Sequence, residues 1–308
     1  MQIKRKLLII CLAICVQGCA ALQSKQSVNK GMGELIIAEP VAVNYKSEVA
    51  ILRLSDIILR AEITDEQRAQ LFYDRGVIYD SVGLRSLARL DFNRALKLKP
   101  DLVDAYNFIG IQFTQLQEFN QAYDSFDSAL DLQPDHEYAY LNRGIALYYG
   151  GRPSLARDDF QVFHHGKSSD PYRLLWLYLA EYQIDPEQAS VDLMTRSSRV
   201  ENNIWAKNII RLYLGGINQD QFIKSLTVNI STNKALSDRL CEAYFYLGKY
   251  NQLLGRENVA ANFFKLALST NVFEFVEHRY AKLELDLMRK PKLDDELVPE
   301  LAPELGAR

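Results

Sequence analysis

The sequence contains few residues of the kinds that interrupt helices or build disulfide frameworks. Its 308 residues include 15 glycines, 9 prolines and 4 cysteines. So few helix-breaking residues favour long regular segments over a loop-rich fold. Cys11, Cys15 and Cys19 lie at the N-terminus and leave Cys241 alone in the rest of the chain, which argues against a disulfide framework. We interpret Cys241 as a small packing residue rather than a nucleophile.

The short motifs that carry most known chemistry are also missing. The sequence has no His-Glu-x-x-His zinc motif, no Gly-x-Ser-x-Gly elbow and no phosphate-binding loop. Among the four histidines, His164 and His165 are adjacent, so on a helix they point in different directions and form a poor chelate. No basic stripe with interleaved aromatic residues suggests nucleic-acid binding. We therefore predict a protein that is not an enzyme and needs neither cofactor nor metal.

A long apolar run occurs only at the N-terminus. Lys4, Arg5 and Lys6 precede the run Leu7–Val16, which is too short for a stable transmembrane anchor and is typical of an export signal over residues 1–18. The signal ends in Val-Gln-Gly before Cys19, which resembles the lipobox of bacterial lipoproteins. That resemblance implies cleavage before Cys19, acylation of Cys19 and, because Ala20 follows, sorting to the outer membrane. Several acyl chains would anchor the protein durably at about 0.8 kcal/mol per buried CH₂.

What the sequence does contain is a repeat of constant length. The matched positions, each 34 residues apart, are Gly76, Gly110 and Gly144, then Ala88, Ala122 and Ala156, then Phe92, Phe126 and Phe160, then Pro100 and Pro134. This period with these residues is the signature of the tetratricopeptide (TPR) repeat, in which each period forms one helix–turn–helix hairpin. Glycine and alanine let the two helices approach closely, and the phenylalanine projects between hairpins. Because one hairpin cannot bury its apolar face alone, the hairpins stack.

We therefore predict an all-α fold, a solenoid of TPR hairpins with degenerate TPR-like hairpins and extra capping helices. The predicted segments are a signal at 1–18, a lipidated flexible tether at 19–46, the solenoid at 47–288 and a disordered acidic tail at 289–308. Within the solenoid, the repeats are 69–102, 103–136, 137–170 and 241–274, with degenerate hairpins at 171–240. A last helix, Phe275–Met288, is expected to cap the array. Aspartates 91, 127, 158 and 159 are expected on a solvated face.

The segment Ser47–Glu62 forms a helix that fits no repeat. Its apolar residues recur at helical spacing, and a capping box of Thr64 and Gln67 opens the first repeat after it. Two interpretations remain equally open. The helix caps the end of the solenoid, or it crosses to a second subunit and makes a homodimer through Leu54, Ile57 and Ile58.

The first helix of each TPR hairpin lines the inner groove of the solenoid, where partner proteins bind. The residues that we predict to bind a partner there are Tyr73, Asn107, Ile111, Tyr138, Leu141, Ile145, Tyr148 and Tyr149. The third repeat contributes most of them, and it is apolar and aromatic where solvent would favour charge. The alternative is that Tyr148 and Tyr149 pack against the irregular hairpins that follow.

Several stretches go beyond the general TPR pattern. They are Arg75–Arg89, Asn142–Arg152, Leu175–Glu181 (LWLYLAE), Phe245–Tyr250 and Asn271–Ala281 (NVFEFVEHRYA). With the lipobox and the extra N-terminal helix, they resemble the NlpI family of TPR-containing outer-membrane lipoproteins of gammaproteobacteria, from about Ser47 to Met288. The stretches Leu175–Glu181 and Asn271–Ala281 discriminate best, because TPR packing does not require them.

The resemblance implies a non-catalytic homodimeric adaptor, anchored in the outer membrane and facing the periplasm. Such an adaptor binds a tail-specific periplasmic protease and peptidoglycan hydrolases, and it promotes proteolysis of a cell-wall endopeptidase. It thereby regulates peptidoglycan remodelling. An alternative function is a TPR lipoprotein scaffold for outer-membrane barrel or secretin assembly. A third hypothesis, an enzyme that cleaves peptidoglycan itself, lacks a site in the sequence.

Overall fold

The computed structural model describes residues 35–289. All the regular secondary structure in this part of the chain is helical. The fold class predicted from the sequence is confirmed. The helices are α1 (Tyr45–Arg60), α2 (Asp65–Ser81), α3 (Arg85–Leu98), α4 (Val103–Gln115), α5 (Phe119–Leu132), α6 (Glu137–Tyr149), α7 (Pro153–Gly166), α8 (Pro171–Ile184), α9 (Pro186–Ser197), α10 (Lys207–Tyr213), α11 (Gln219–Ser225), α12 (Asn233–Leu253), α13 (Glu257–Ser269) and α14 (Val276–Arg289). The predicted signal, Cys19, the first part of the tether and the tail beyond residue 289 lie outside the described residues.

Four hairpins are built around the same contact between a glycine and a phenylalanine. In α2–α3, α4–α5, α6–α7 and α12–α13, the glycine of the first helix lies against the phenylalanine ring of the second. A Cβ added at Gly76, Gly110, Gly144 or Gly248 would come within 2.7, 2.6, 2.7 and 2.4 Å of that ring. The four phenylalanines are fully buried. No larger residue fits at the glycine unless the ring moves, which explains why glycine marks the period.

In two of the repeats, the two helices of the hairpin are also joined by an ion pair that the sequence analysis missed. The Arg75 guanidinium donates to both oxygens of Asp91 at 2.6 and 2.9 Å, and Arg143 does the same to Asp159 at 2.8 Å each. Asp91 is only 1% exposed. The prediction of a solvated face was wrong for Asp91 and Asp159, because an arginine 16 residues earlier faces each of them. It holds for Asp127 and Asp158, whose side chains are more than half exposed.

The region between the regular repeats begins with two helices that have strong N-terminal signals. The side chain of Asp170 caps α8 and that of Asp185 caps α9, and each is followed by a proline at the first helical position. The short helices α10 and α11 follow, and Asn218 opens α11 with a capping box. Helix α12 then runs for 21 residues. It begins at Asn233, before the predicted start of the last repeat at residue 241.

Helix α14 packs on α13, as a terminal helix would, but it also crosses the first helices of the other hairpins. Arg279 pairs with Asp80 of α2 at 2.5 Å, and Glu284 accepts hydrogen bonds from Tyr149 of α6 and Lys249 of α12. Its Tyr280 ring lies against Trp176 of α8. The last helix therefore covers the inner side of the solenoid, whereas the sequence predicted only a cap.

Part of the predicted tether is held against α12 and α13. Residues 36–41 form no helix, and the Tyr244 hydroxyl exchanges hydrogen bonds with the backbone of Ile36. The Asn233 side chain bonds to the backbone of Glu39 in the same way, and Val41 N–H donates to Thr270 at 2.9 Å. Within the predicted tether, residues 36–41 are thus fixed by backbone hydrogen bonds.

Helix α1 packs on α2 through one edge only. It begins at Tyr45, with Asn44 rather than Ser47 as its cap, while the predicted capping box of Thr64 and Gln67 is present at α2. Ile58 is 5% exposed within the single chain, Leu54 is half-buried and Ile57 is 42% exposed. A second subunit could therefore reach little of Ile58. The apolar residues that α1 leaves most exposed are Tyr45, Leu52 and Leu59.

Two general properties of residues 35–289 bear on function. No helix in this range is both long enough and apolar enough to cross a membrane. No group of three or more histidine, cysteine or acidic side chains in it is placed to hold a metal ion.

Candidate partner-binding groove

The first helices of the hairpins, α2, α4, α6 and α8, lie side by side and form the wall of an inner groove. Helix α14 lies over the C-terminal ends of these helices, and we call that part the filled half. The N-terminal parts of α4, α6 and α8 face residues 274–280, at and just before the start of α14, and enclose open space. We call that part the open half.

The filled half is held by a buried carboxylate with three donors. Glu284 accepts hydrogen bonds from Lys249 Nζ at 2.6 Å, Gln252 Nε2 at 2.7 Å and the Tyr149 hydroxyl at 2.8 Å. Burial opposes the charge of Lys249, but the adjacent Glu284 outweighs burial and raises the pKa of Lys249 above its ordinary value. The Lys249 ammonium also lies 4.9 Å from the centre of the Tyr148 ring. Every charge at this contact is therefore compensated.

Aromatic packing completes the filled half. The ring of Tyr280 is stacked on Tyr149 at 5.5 Å and meets Trp176 edge-on at 6.1 Å. Tyr149 also meets Tyr148 edge-on, and Tyr148 in turn lies against Trp176. Burial, with Glu284 adding to it, raises the pKa of Tyr149 well above its ordinary value, so its hydroxyl remains a proton donor.

The open half contains two adjoining cavities of about 300 Å³ each. The first lies between α4, α6 and α14, and its wall includes two amides, with Asn142 Nδ2 donating to Asn107 Oδ1 at 3.0 Å. Asp104 and His136 also line it, 2.9 Å apart. Because each amide has a donor and an acceptor group, the pair can offer further hydrogen bonds to a peptide backbone.

The second cavity lies between α6, α8, α12 and the start of α14. Its aromatic lining consists of Tyr138, Phe163, Tyr172, Trp176 and Phe275. The two cavities share Tyr138, Leu141, Glu274 and Val276, so they form one continuous depression. Tyr138 is 53% exposed at their common edge and lies against Phe163 at 6.0 Å.

The second cavity is also lined by a buried carboxyl group, that of Glu277, and by a partly buried one, that of Glu242. Burial raises the pKa of Glu242 to about 8, with Glu277 adding to the effect, and burial raises the pKa of Glu277 to about 7. The Tyr172 hydroxyl donates to Glu242 at 2.6 Å. Arg173 is the basic residue in the cavity wall, but it is already paired with Glu137 at 2.9 Å and with the carbonyl of Phe163. The open half thus carries uncompensated acidity.

The structure places the eight predicted partner-binding residues in different surroundings. Asn107, Ile111, Tyr138 and Leu141 line the open half together. Ile145 is fully buried in the single chain, and Tyr73 packs between Phe92 and Phe108. Of the eight, Tyr138 therefore offers the most surface to a partner. Binding by this set stays a prediction.

Tyr148 packs against the irregular hairpins, as in the alternative that the sequence left open, whereas Tyr149 packs against the last helix, α14. Tyr148 is 6% exposed and packs on Trp176, while Tyr149 is bonded to Glu284 of α14. Both tyrosines therefore contribute to packing within the chain. A partner could approach Tyr149 only if α14 moved.

The sequence analysis missed the residues that α14 and α12 bring to the groove. Glu242, Glu274 and Glu277 are far from the third repeat in sequence but line the same cavity as Tyr138. One signal was available. Glu274 and Glu277 belong to the stretch Asn271–Ala281, which TPR packing does not require.

Comparison with family models agrees with the assignment of the first repeat. A family model described as TPR_8, tetratricopeptide repeat, matches residues 69–102. A tetratricopeptide repeat protein from Parabacteroides merdae is 16% identical, with a TM-score of 0.49, over 80% of this chain and 100% of the other. YrrB, a TPR protein with an unusual peptide-binding site, is 14% identical with a TM-score of 0.41, over 75% of this chain and 97% of the other. Cut9–Hcn1 is 17% identical with a TM-score of 0.44, over 80% of this chain and 46% of the other.

Proposed function

We propose that this TPR protein is a non-catalytic scaffold that binds an extended segment of a partner protein in the open half of its groove. The observation that carries the proposal is the depression around Tyr138. A half-exposed tyrosine sits between two adjoining cavities, beside amides that can bond to a peptide backbone. Tyrosines of this kind are enriched where proteins bind one another.

The finer proposal is a lipoprotein adaptor of the periplasm, anchored to the outer membrane through Cys19. It brings a tail-specific protease and a peptidoglycan endopeptidase together and so limits cell-wall remodelling. The lipobox and the stretches Leu175–Glu181 and Asn271–Ala281 support this, through their resemblance to the NlpI family. Physically, the adaptor raises the effective concentration of the substrate at the protease.

A purified reconstitution tests this function. We expect the protein to accelerate degradation of the endopeptidase by the protease, on the order of tenfold or more. The variant Tyr138→Ala should lose most of the acceleration, because it removes the exposed aromatic edge of the groove. Leu155→Ala is the matched control, since Leu155 is 51% exposed on α7. No acceleration, with protease and substrate both active alone, would overturn the adaptor role and turn attention to barrel or secretin assembly.

The proposal includes a homodimer through α1. The exposed side chains Tyr45, Leu52 and Leu59 are 69%, 70% and 81% exposed, and a cavity of about 610 Å³ lies beside Tyr45 and Val49. Burial of exposed apolar surface of this kind commonly drives the association of subunits. We expect Leu52→Asp with Leu59→Asp to convert a dimer to a monomer in sedimentation at unchanged helicity. A mass that stays the same would leave α1 as a cap.

A further inference from the structure

The open half of the groove is acidic in a way that the fold does not explain. Glu242 and Glu277 both line the second cavity, and Glu277 is 6% exposed. Among residues 35–289, no basic side chain forms an ion pair with either carboxylate. Tyr246 is near Glu277, yet its hydroxyl makes no hydrogen bond by distance and angle. A buried carboxylate without a cation costs stability, so this arrangement needs a reason other than folding.

The other buried acidic side chains of the described residues differ from Glu242 and Glu277 in having a cation as partner. Asp91, Asp159, Asp80 and Glu284 each have an arginine or lysine within 2.9 Å. This chain therefore pairs its buried carboxylates with cations where they serve the fold. At the cavity, none of the described residues supplies a cation that pairs with Glu242 or Glu277. Open space of about 300 Å³ lies beside them instead.

The walls of the cavity fit a cation on a chain. Trp176 and Tyr138 line the cavity together with the carboxylates, and such rings attract an ammonium or guanidinium group; the third ring, that of Phe163, already has the Arg173 guanidinium 3.9 Å from its centre. The cavity opens at Tyr138 into the first cavity, where Asn107 and Asn142 can bond to a backbone. A free amine would use only the second cavity, whereas a peptide side chain and its backbone would use both.

We propose that the open half recognises a lysine or arginine side chain on an extended segment of a partner protein, with Glu242 and Glu277 binding the cation and Tyr138 covering its stem. This inference rests on the proposed function and names the chemistry of its partner. Because burial raises their pKa values to about 8 and about 7, at least one of the two carboxyl groups holds a proton near neutral pH. An arriving cation stabilises both charges and displaces that proton. The other ionisable groups that line the cavity or lie near the pair are Tyr138, Asp170, Tyr172, Arg173, Asp238, Arg239, Tyr246 and Glu274.

The test follows the indole N–H signal of Trp176 by NMR in the full chain. The probe is a capped pentapeptide, Ala-Ala-Lys-Ala-Ala, compared with its arginine, Nε-acetyllysine and glutamate analogues. Assignment uses Trp205→Phe, since the sequence has two tryptophans. We expect saturable shifts with the lysine and arginine peptides, and at least tenfold weaker binding with the other two.

The variants Glu277→Gln and Glu242→Gln should weaken lysine-peptide binding at least tenfold. Glu257→Gln, on the exposed first turn of α13, is the matched control and should bind as wild type. The glutamine variants should have melting temperatures no lower than that of wild type. A loss of binding can then be distinguished from a loss of folding. Equal binding of the acetyllysine peptide, unchanged binding by Glu277→Gln, or no binding of any peptide would each overturn the proposal. If the endopeptidase is still degraded faster through Tyr138, the proposed function stands and only the cation specificity fails.

Discussion

The two halves of the groove bury similar side chains but treat their charges in opposite ways. In the filled half, Glu284 has an ammonium and two neutral donors, and Asp80 has an arginine. In the open half, Glu242 has a single phenol as donor, and Glu277 faces the cavity. The two halves share the same row of helices, so the backbone does not cause the difference.

The difference separates what holds the fold from what is available for function. A compensated buried charge fixes α14 in place, because removing either partner leaves the other unpaired in a medium of low dielectric constant. An uncompensated buried acid lowers stability and is expected where a ligand supplies the missing charge. The comparison predicts that equivalent substitutions in the two halves change stability in opposite directions.

The largest effect is expected in the filled half. Lys249→Met removes the ammonium but keeps the apolar stem, leaving Glu284 buried without a cation. We expect the free energy of unfolding to fall by about 3–5 kcal/mol, measured by urea denaturation. Adding Glu284→Gln should restore much of the loss. The control is Lys282→Met. The ion pair of Lys282 with Asp286 is partly exposed, so its loss should lower stability by less than about 1 kcal/mol. A loss as small as that of the control would show that α14 is held by apolar packing alone.

The open half should respond to pH. Raised carboxyl pKa values mean that the folded state binds more protons than the unfolded state, so this stabilising term is present below about pH 4.5 and is lost as the pH rises through about 8. We expect Glu242→Gln to gain stability over wild type between pH 5 and pH 8, by on the order of 2 kcal/mol. The difference in stability is measured from the midpoints of urea denaturation at pH 5 and at pH 8. A variant less stable than wild type at pH 8 would show that the acid serves the fold.

The smallest effect compares two tyrosines of the same helix. Tyr149→Phe removes a hydroxyl that donates to a buried carboxylate at 2.8 Å, and we expect a loss of about 1.5 kcal/mol. Tyr138→Phe removes the hydroxyl of a half-exposed ring and should change stability by less than about 0.5 kcal/mol. Thermal unfolding of both variants side by side gives the difference. Equal losses would mean that the two halves are not distinct in stability.

Much of the fold was predictable because its determinants are local and periodic. Gly76, Gly110 and Gly144 recur with their phenylalanines, and the same pair returns at Gly248 and Phe264, so the four hairpins follow from spacing alone. The capping box of Thr64 and Gln67 also needs only neighbouring residues. The groove positions on α4 and α6 followed from the repeat register, and four of them do line the open half.

The rest was not predictable because it depends on contacts between distant segments. Asp91 was assigned to a solvated face, since nothing in the period says that Arg75 will meet it. Tyr148 and Tyr149 were open between two roles, and their surroundings depend on Trp176 of α8 and Glu284 of α14, which the repeat pattern does not place. The hydrophobic pattern of α14 marks a helix with one apolar face but does not state which surface it meets.

The sequence by itself determined the helical hairpins and their stacking, because each glycine–phenylalanine contact joins residues 16 apart in the chain. Only the tertiary structure decided which half of the groove stays open. That outcome rests on pairs such as Tyr149 with Glu284 and Asp80 with Arg279, separated by 135 and 199 residues. Such pairs form when α14 folds back across the solenoid, and another position of α14 would leave these buried polar groups without their partners.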